Sequence, residues 1–493
     1  MVYDFLYRRG YFITDNESII TNFSMKNWNR EKFLNYHIIH DPLLEINRAT
    51  FHDVNVIIVG SVVDTGDNLI NSQKIPLKMA TKFKYSKDSF FEYLDTLSGR
   101  FILILADQKN SYILHDATGN RSVFYDITSK NIFISSHVEI IADLNDYKVG
   151  DEESKFMEDS DFRNNKDRYF PGIATPYKKI KMLTPNTLID VKNKSIERYF
   201  PRESLSSEPS TRNLVEDLSN FFSNQIELLR SQYELSLSLT AGLDSRLSLA
   251  TSKNQMEDIY YYTLIYGSDS EKDAQVASQL GKQLGINHHV IPTKSDANKD
   301  FLKCFLKNTS NMSSEFRGGI AETLCEKYPE NRLHIKSNGS EICRAFYKQI
   351  YGLLPSKISP DVYSKLYGIS VKSEFVQSSF KEFIDISKLN VNNIFNYDHY
   401  DLFYWEHRIG NWQSLCLMEW DIAQDTFIPF GNRNVIKKML SIPLKDRIND
   451  DLYYDIIKNV WQECLQIPVN PFKKKQSFIT AKRLARGAKL LVR

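Results

Sequence analysis

The sequence predicts two folded parts: an α+β part built on antiparallel sheet, followed by an α/β part built on a parallel sheet. Three observations carry this. Up to about residue 200, short β-branched and aromatic runs alternate with polar turns and few helical stretches. Between Arg202 and Arg212 the composition turns to Ser, Glu, Pro and Thr, which marks a boundary. From Asn213 the apolar period becomes helical, and strands then alternate with helices, as parallel sheets with crossover helices require. The expected division is 1–205, 210–471 and a basic tail over 472–493.

In order along the chain, Val54–Gly60 is a β-branched strand ending on glycine, and Ser89–Leu97 is helical. Phe101–Ala106 and Ser111–His115 flank the polar turn Asp107–Asn110 and form a hairpin. Val123–Tyr125 and Ile132–Ser135 form a second strand pair. Leu214, Leu218, Phe221, Phe222, Ile226 and Leu229 line one helix. Then come a strand (Tyr233–Leu239), a helix (Ser245–Ser252), a strand (Ile259–Tyr266), a helix (Lys272–Leu284) and the strand residues His289–Ile291. Beyond Ser340 the chain is mainly helical and aromatic.

Charge is unevenly spread. The 493 residues hold 63 Lys and Arg against 61 Asp and Glu, yet residues 472–493 hold eight basic residues and no acidic one. The body therefore has 55 basic against 61 acidic residues, which argues against a nucleic-acid-binding face. The tail reads either as a solvated terminus or, through Leu484, Leu490, Leu491 and Val492, as a docking element for an anionic partner or surface. The five cysteines all follow residue 300, with no C-x-x-C spacing, which fits a reducing compartment and gives no zinc pattern. No apolar run is long enough to span a bilayer and no signal peptide is evident, so a soluble cytoplasmic protein is expected.

The chemistry concentrates in Leu239-Thr240-Ala241-Gly242-Leu243-Asp244-Ser245, where a strand runs through small residues into a helix. Small side chains let backbone N–H groups approach an anion, and the helix N-terminus adds its positive end. Asp244 would repel phosphate unless magnesium lies between them. Taken alone, a βα turn with Asp and Ser as N-caps explains the stretch equally well.

In context it resembles the S-G-G-x-D-S loop of the asparagine synthetase family. Thr240 stands for the first Ser and Ala241 for the first Gly; Gly242, Asp244 and Ser245 match. Further segments follow in register. They are Ser98–Phe101, His115–Tyr125, Phe170-Pro171-Gly172, Leu183–Asn186, Tyr266-Gly267 through His289, and Pro429–Arg433. Ser337-Asn338-Gly339-Ser340-Glu341 resembles the family's G-E-G-S-D. The resemblance implies an Ntn-type αββα domain like class II glutamine amidotransferases, then an ATP pyrophosphatase domain with a five-stranded parallel sheet and a helical extension. It implies ATP and Mg2+ as cofactors. Leu239, Thr240, Ala241, Gly242, Asp244, Ser245, Tyr266, Gly267, Ser337, Gly339 and Ser340 would bind nucleotide, with Asp244 and Glu341 on the metal. A carboxylate would be activated as acyl-adenylate and taken by an amine, from small-molecule or peptide substrates. A homodimer is an assembly it allows.

Two departures shape the expectation. Glutamine-hydrolysing members expose a cysteine after removal of Met, whereas position 2 here is Val2 and the first cysteine is Cys304. The N-terminal part is thus expected to be a scaffold, and the chain to resemble β-lactam synthetase and the lasso-peptide cyclases. The second departure is Asn338, where asparagine synthetases have Glu and the β-lactam branch Tyr. Asn can orient an amine but not deprotonate it. Glu406 is the base put forward instead, against a salt bridge to Arg408 as the plainer role. Arg447 lies where the family has a lysine. Asparagine synthesis from free ammonia, and a silent scaffold in a biosynthetic cluster, stay open as alternatives. For the lesser features, Arg246 is expected either on substrate carboxylate or in solvent, His288 and His289 on opposite sides of a strand, and Trp405, Trp412 and Trp420 in core or pocket wall.

Overall fold

The computed structural model describes residues 5–208, 210–352 and 354–472. Position 2 and residues 473–493 of the basic tail lie outside them. Residues before 200 build two antiparallel sheets. One has six strands in the order Lys181–Met182, Phe124–Asp126, Phe133–Ser135, Tyr11–Thr14, Tyr36–His40 and Asn29–Phe33. The other runs Ser195–Arg198, Thr187–Asp190, Ser111–His115, Ser98–Ala106, Val54–Asp64 and Ile46–Phe51, with Leu69–Ile70 added on Val54–Asp64. Alternation along the strands explains their packing. Ile57, Val59, Ile102, Ile104 and Ile113 face Tyr11, Ile13, Ile38 and Ile134 between the sheets. Val56, Ile58, Leu103 and Leu105 point the other way, toward Met79, Ala80 and Phe83 of the helix Lys74–Tyr85. The helix Val138–Leu144 lies against the six-stranded sheet.

The predicted hairpin is present, with Ile102 opposite His115 and Ala106 opposite Ser111. Two local readings change. The strand from Val54 does not stop at Gly60 but continues to Asp64. Gly60 has φ +104 and packs its Cα against the Arg100 carbonyl, so only glycine fits this close crossing. The helix Lys74–Tyr85, whose polar and basic residues mask its apolar face, went unforeseen.

Residues after 212 build a five-stranded parallel sheet in the order His288–Pro292, Ile259–Ile265, Glu234–Ser238, Arg332–Ile335, Asp425–Phe427. Leu235, Leu237 and Tyr261 face the helices Arg212–Arg230 and Leu243–Thr251, while Tyr262, Leu264 and Ile291 face Glu315–Lys327. The first strand is central. The second and third extend the sheet one way, the fourth and fifth the other. The winding thus reverses between Glu234–Ser238 and Arg332–Ile335, the place where such sheets open a crevice at their carboxyl ends.

The antiparallel and parallel parts meet through buried charge. Arg198 clamps Glu406 with bonds of 2.6 and 2.7 Å, and Asn186 Nδ2 donates to the same carboxylate at 3.0 Å. Arg433 reaches Asp95 at 3.2 Å, Asn186 at 3.1 Å and Tyr199 at 2.7 Å. Arg100 clamps Asp421 through both guanidinium nitrogens. Glu406 sits in a π-helical stretch, Tyr404–Gln413, inside the long helix that runs on to Asp421. Gly410 of that stretch abuts the Pro185 ring, where a Cβ would overlap it.

Glu406 is fully buried. Glu406→Ala strands the Arg198 charge and is expected to destabilise the protein by about 3–5 kcal/mol, read as a lower denaturant midpoint. The double variant Arg198→Met, Glu406→Leu should recover most of that loss.

Candidate functional site

The reversal of the sheet brings two loops together. One follows the first strand (239–242) and the other follows the fourth (336–341), and both emerge at the carboxyl edge. In the first, the Leu239 N–H donates to the Tyr262 carbonyl at 2.8 Å, which extends the sheet by one residue. Thr240 then turns the chain. Its hydroxyl accepts from the Gly242 N–H at 3.1 Å and meets the Ser245 hydroxyl at 3.0 Å. Ser245 Oγ also accepts from the Thr240 N–H at 3.2 Å, so these two hydroxyls hold the turn from within. Gly242 ends the turn in an extended conformation at the N-cap of Leu243–Thr251.

In the second loop, Ser337 Oγ donates to Ser248 Oγ at 2.8 Å and ties it to the first helix. Gly339 takes φ +95, which glycine adopts without the Cβ penalty, and the turn passes into a short 3-10 helix, Ser340–Arg344. The Gly339 N–H donates to Glu341 Oε2 at 2.9 Å. Ser340 Oγ donates to Asp244 Oδ1, and the Ser340 carbonyl accepts from Tyr453 OH at 2.7 Å. Glu341 and Asp244 are thus neighbours; burial, then the Asp244 carboxylate, push Glu341 up to about 7.

Arg344 was not foreseen. Its Nη1 lies 3.1 Å from both Asp244 oxygens, while its Nε and Nη2 reach Asp450 at 2.6 Å each. A cation one turn after a proposed anion site was visible in the sequence, but its partner Asp450 is more than a hundred residues away and was not. Asp273 was missed as well: its Oδ1 accepts from the Ala241 N–H at 3.0 Å. The first loop and Arg344 border a cleft of about 470 Å³, which Asp244, Asp269, Asp273 and Lys272 also line.

A second cavity of about 280 Å³ opens at the carboxyl edge of the sheet. Tyr266 and Asn338 open onto it, with Trp412 and Trp420 as walls and Lys336 at the end of the fourth strand. The wall and core roles expected for the tryptophans divide: Trp405 is core, its Nε1 donating to the Ala117 carbonyl at 2.8 Å. Gly267 sits at the N-cap of Ser268–Leu284.

Other expected positions fall elsewhere. Glu406 is not at either cleft: Arg198 and Asn186 engage both its oxygens, and its partner is Arg198 rather than Arg408. Arg246 reaches neither substrate nor solvent. It is fully buried and donates to the carbonyls of Cys464 at 3.1 Å, Ile467, and Pro468 at 2.9 Å, so it anchors the last described turns. Arg447 is tied to Asp401 at 2.7 Å and to the Cys343 carbonyl at 2.8 Å. His288 bonds Thr263 Oγ1 at 2.8 Å while His289 stacks on Tyr260, on opposite sides of their strand. Among the described residues, no three His, Cys, Asp or Glu side chains converge on a metal position. No helix among them is long and apolar enough to cross a membrane.

No protein-family model matches the chain. No curated protein matches it either. Solved structures share partial likeness. The NH3-dependent NAD synthetase from Campylobacter jejuni is 18% identical, covering 40% of this chain and 82% of that one, with a TM-score of 0.20. The NMN synthetase from Francisella tularensis is 14% identical over 38% of this chain and 75% of its own, with a TM-score of 0.19. The glutamine phosphoribosylpyrophosphate amidotransferase from B. subtilis is 10% identical over 62% and 88%, at 0.24. TM-scores this low leave the likeness too slight to bear on what this chain does.

Proposed function

We propose that this chain is an ATP-dependent carbon–nitrogen ligase of the asparagine synthetase type. A substrate carboxylate oxygen attacks the α-phosphorus of ATP, pyrophosphate leaves, and an acyl-adenylate forms; an amine then attacks the acyl carbon and AMP departs. The observation that carries this reading is the meeting of Asp244 and Ser340 across the sheet reversal, with a helix N-terminus opening on the same cleft. The chain's task in such chemistry is to position the reactants and offset charge on the leaving group. Residues 239–242, 245, 337, 339 and 340 would cradle the phosphates, while Lys272 and Arg344 add positive charge at the cleft.

Magnesium would arrive with the nucleotide. One or two protein carboxylates plus phosphate oxygens suit it, and Asp244 with Glu341 supply two. The fit has a condition: Arg344 lies on Asp244, so its guanidinium must yield that carboxylate, keeping Asp450 or turning to phosphate. Nitrogen from glutamine made on this chain is disfavoured. All five thiols are raised by burial, Cys304 and Cys416 to about 11, and none is a ready thiolate. Residues 1–205 would then serve as scaffold beside a synthetase part, 210–471. A binding role without catalysis has one observation in its favour: Asp273 and Arg344 already occupy the Ala241 N–H and the Asp244 carboxylate.

Pyrophosphate exchange decides between them. With Mg2+, ATP and a pool of amino acids and simple carboxylic acids, exchange into ATP is expected, and Asp244→Ala should reduce it to background. Exchange absent from the wild-type chain would favour binding alone; an unchanged rate in the variant would remove Asp244 from the site. Glutamine should yield no glutamate above the buffer rate. Arg344→Ala, which frees Asp244 from a partly exposed ion pair, should lower the Mg2+ concentration for half-maximal exchange by about fivefold, the equivalent of ~1 kcal/mol.

A further inference from the structure

The second cavity holds a charge without a partner. Lys336 directly follows the fourth strand, its N–H donating to the Phe427 carbonyl at 3.0 Å. Its Nζ rests 3.7 Å from the centre of the Trp420 ring. No carboxylate among the described residues lies within ion-pair distance of it. The other charges lining the cavity are paired or outside. Arg317 bonds Glu419 at 2.8 Å and Asp167 at 2.9 Å, Glu419 also accepts from Ser313, and Lys166 is exposed at the rim. Asn338 shares the cavity two residues on.

We propose that Lys336 is the catalytic base of the amide-forming step, taking the proton of the attacking amine. The inference rests on the ligase reading above. The neutral Nζ accepts one proton from the amine nitrogen as the new C–N bond forms. The C–O bond to AMP breaks, its electron pair leaves with AMP, and Lys336 becomes an ammonium on the Trp420 face. Glu406, the base put forward from the sequence, is held by Arg198. Asn338 has no proton to exchange and can only orient the amine.

The surroundings ease loss of the ammonium proton relative to an ordinary lysine. Burial brings Lys336 down to about 8, and Arg317 from the helix opposite acts in the same direction. Cys416 of the wall helix, second in weight to burial and ahead of Arg317, opposes it, as do Glu419 of the same helix and Glu341 from the loop more weakly. Burial pushes His334, on the same strand, well below the ordinary imidazole range, so it is a weak proton acceptor. Asp167 faces Arg317.

The test needs no knowledge of the natural substrate. Trace acetylation of the full-length protein with acetic anhydride from pH 6 to 11, read by peptide mass spectrometry, should show Lys336 titrating near 8, about two units below ordinary lysines. A midpoint at 10 or above, or no acetylation of Lys336 in the folded protein, overturns the proposal. With methylamine and the same carboxylate pool, Lys336→Arg and Lys336→Met should lower amide formation about a hundredfold more than pyrophosphate exchange. Equal loss of both, or no change in their ratio, rejects Lys336 as the base while leaving the adenylation reading standing. Only absence of exchange in the wild-type chain would remove that reading.

Discussion

The architecture depends on charge buried between the two parts of the chain. Arg198 with Glu406, Arg433 with Asp95, and Arg100 with Asp421 each place a guanidinium from one part against a carboxylate from the other, largely out of water. Such pairs contribute little net stability over apolar packing, but either partner alone is strongly unfavourable, so they fix one docking arrangement and penalise others. Asn186 accepts from Arg433 and donates to Glu406, which joins two of the pairs into one network. The long helix 399–421 is held by this network at Glu406 and by Arg100 at Asp421, and between those points it carries Trp412 and Trp420 to the second cavity. The antiparallel sheets therefore help to set where the wall of the second cavity lies.

The parallel sheet supplies the complementary constraint. Its reversal places the loops after the first and fourth strands side by side, although about a hundred residues separate them in the chain. Four hydroxyls, on Thr240, Ser245, Ser337 and Ser340, then hold both loops through short bonds. Hydroxyls do this well because they donate and accept at once and add little bulk to a tight turn.

Much of this was legible in the sequence because it rests on local rules. The change of period at Asn213, the strand–turn–helix at 234–251 and the hairpin at 101–115 all appear in the structure, as does the five-stranded parallel sheet. The resemblance, rather than any spacing, set Asp244 near Glu341; the bond from Ser340 to Asp244 was not foreseen. What stayed hidden depends on distant partners. Glu406 was matched to Arg408, its neighbour in sequence, because its true partner Arg198 lies about two hundred residues earlier. Arg246 looked like a solvated helix residue because the carbonyls it binds belong to 464–468. Lys336 stood beside a recognised motif, yet its isolation from acids is a property of packing. Gly60 suggested a strand end, since a period rule does not register a backbone crossing that needs no side chain.

The π-helical stretch Tyr404–Gln413 has its own consequence. Its wider turn lets Gly410 pass the Pro185 ring while Glu406 faces Arg198 and Trp412 faces the cavity. Removing a single residue from this stretch would restore the tighter pitch and turn everything after it by about 100° around the helix axis. Trp420 would then swing off Lys336 while Asp421 swung off Arg100, so the cavity wall and the docking face share one phase and cannot be re-spaced independently.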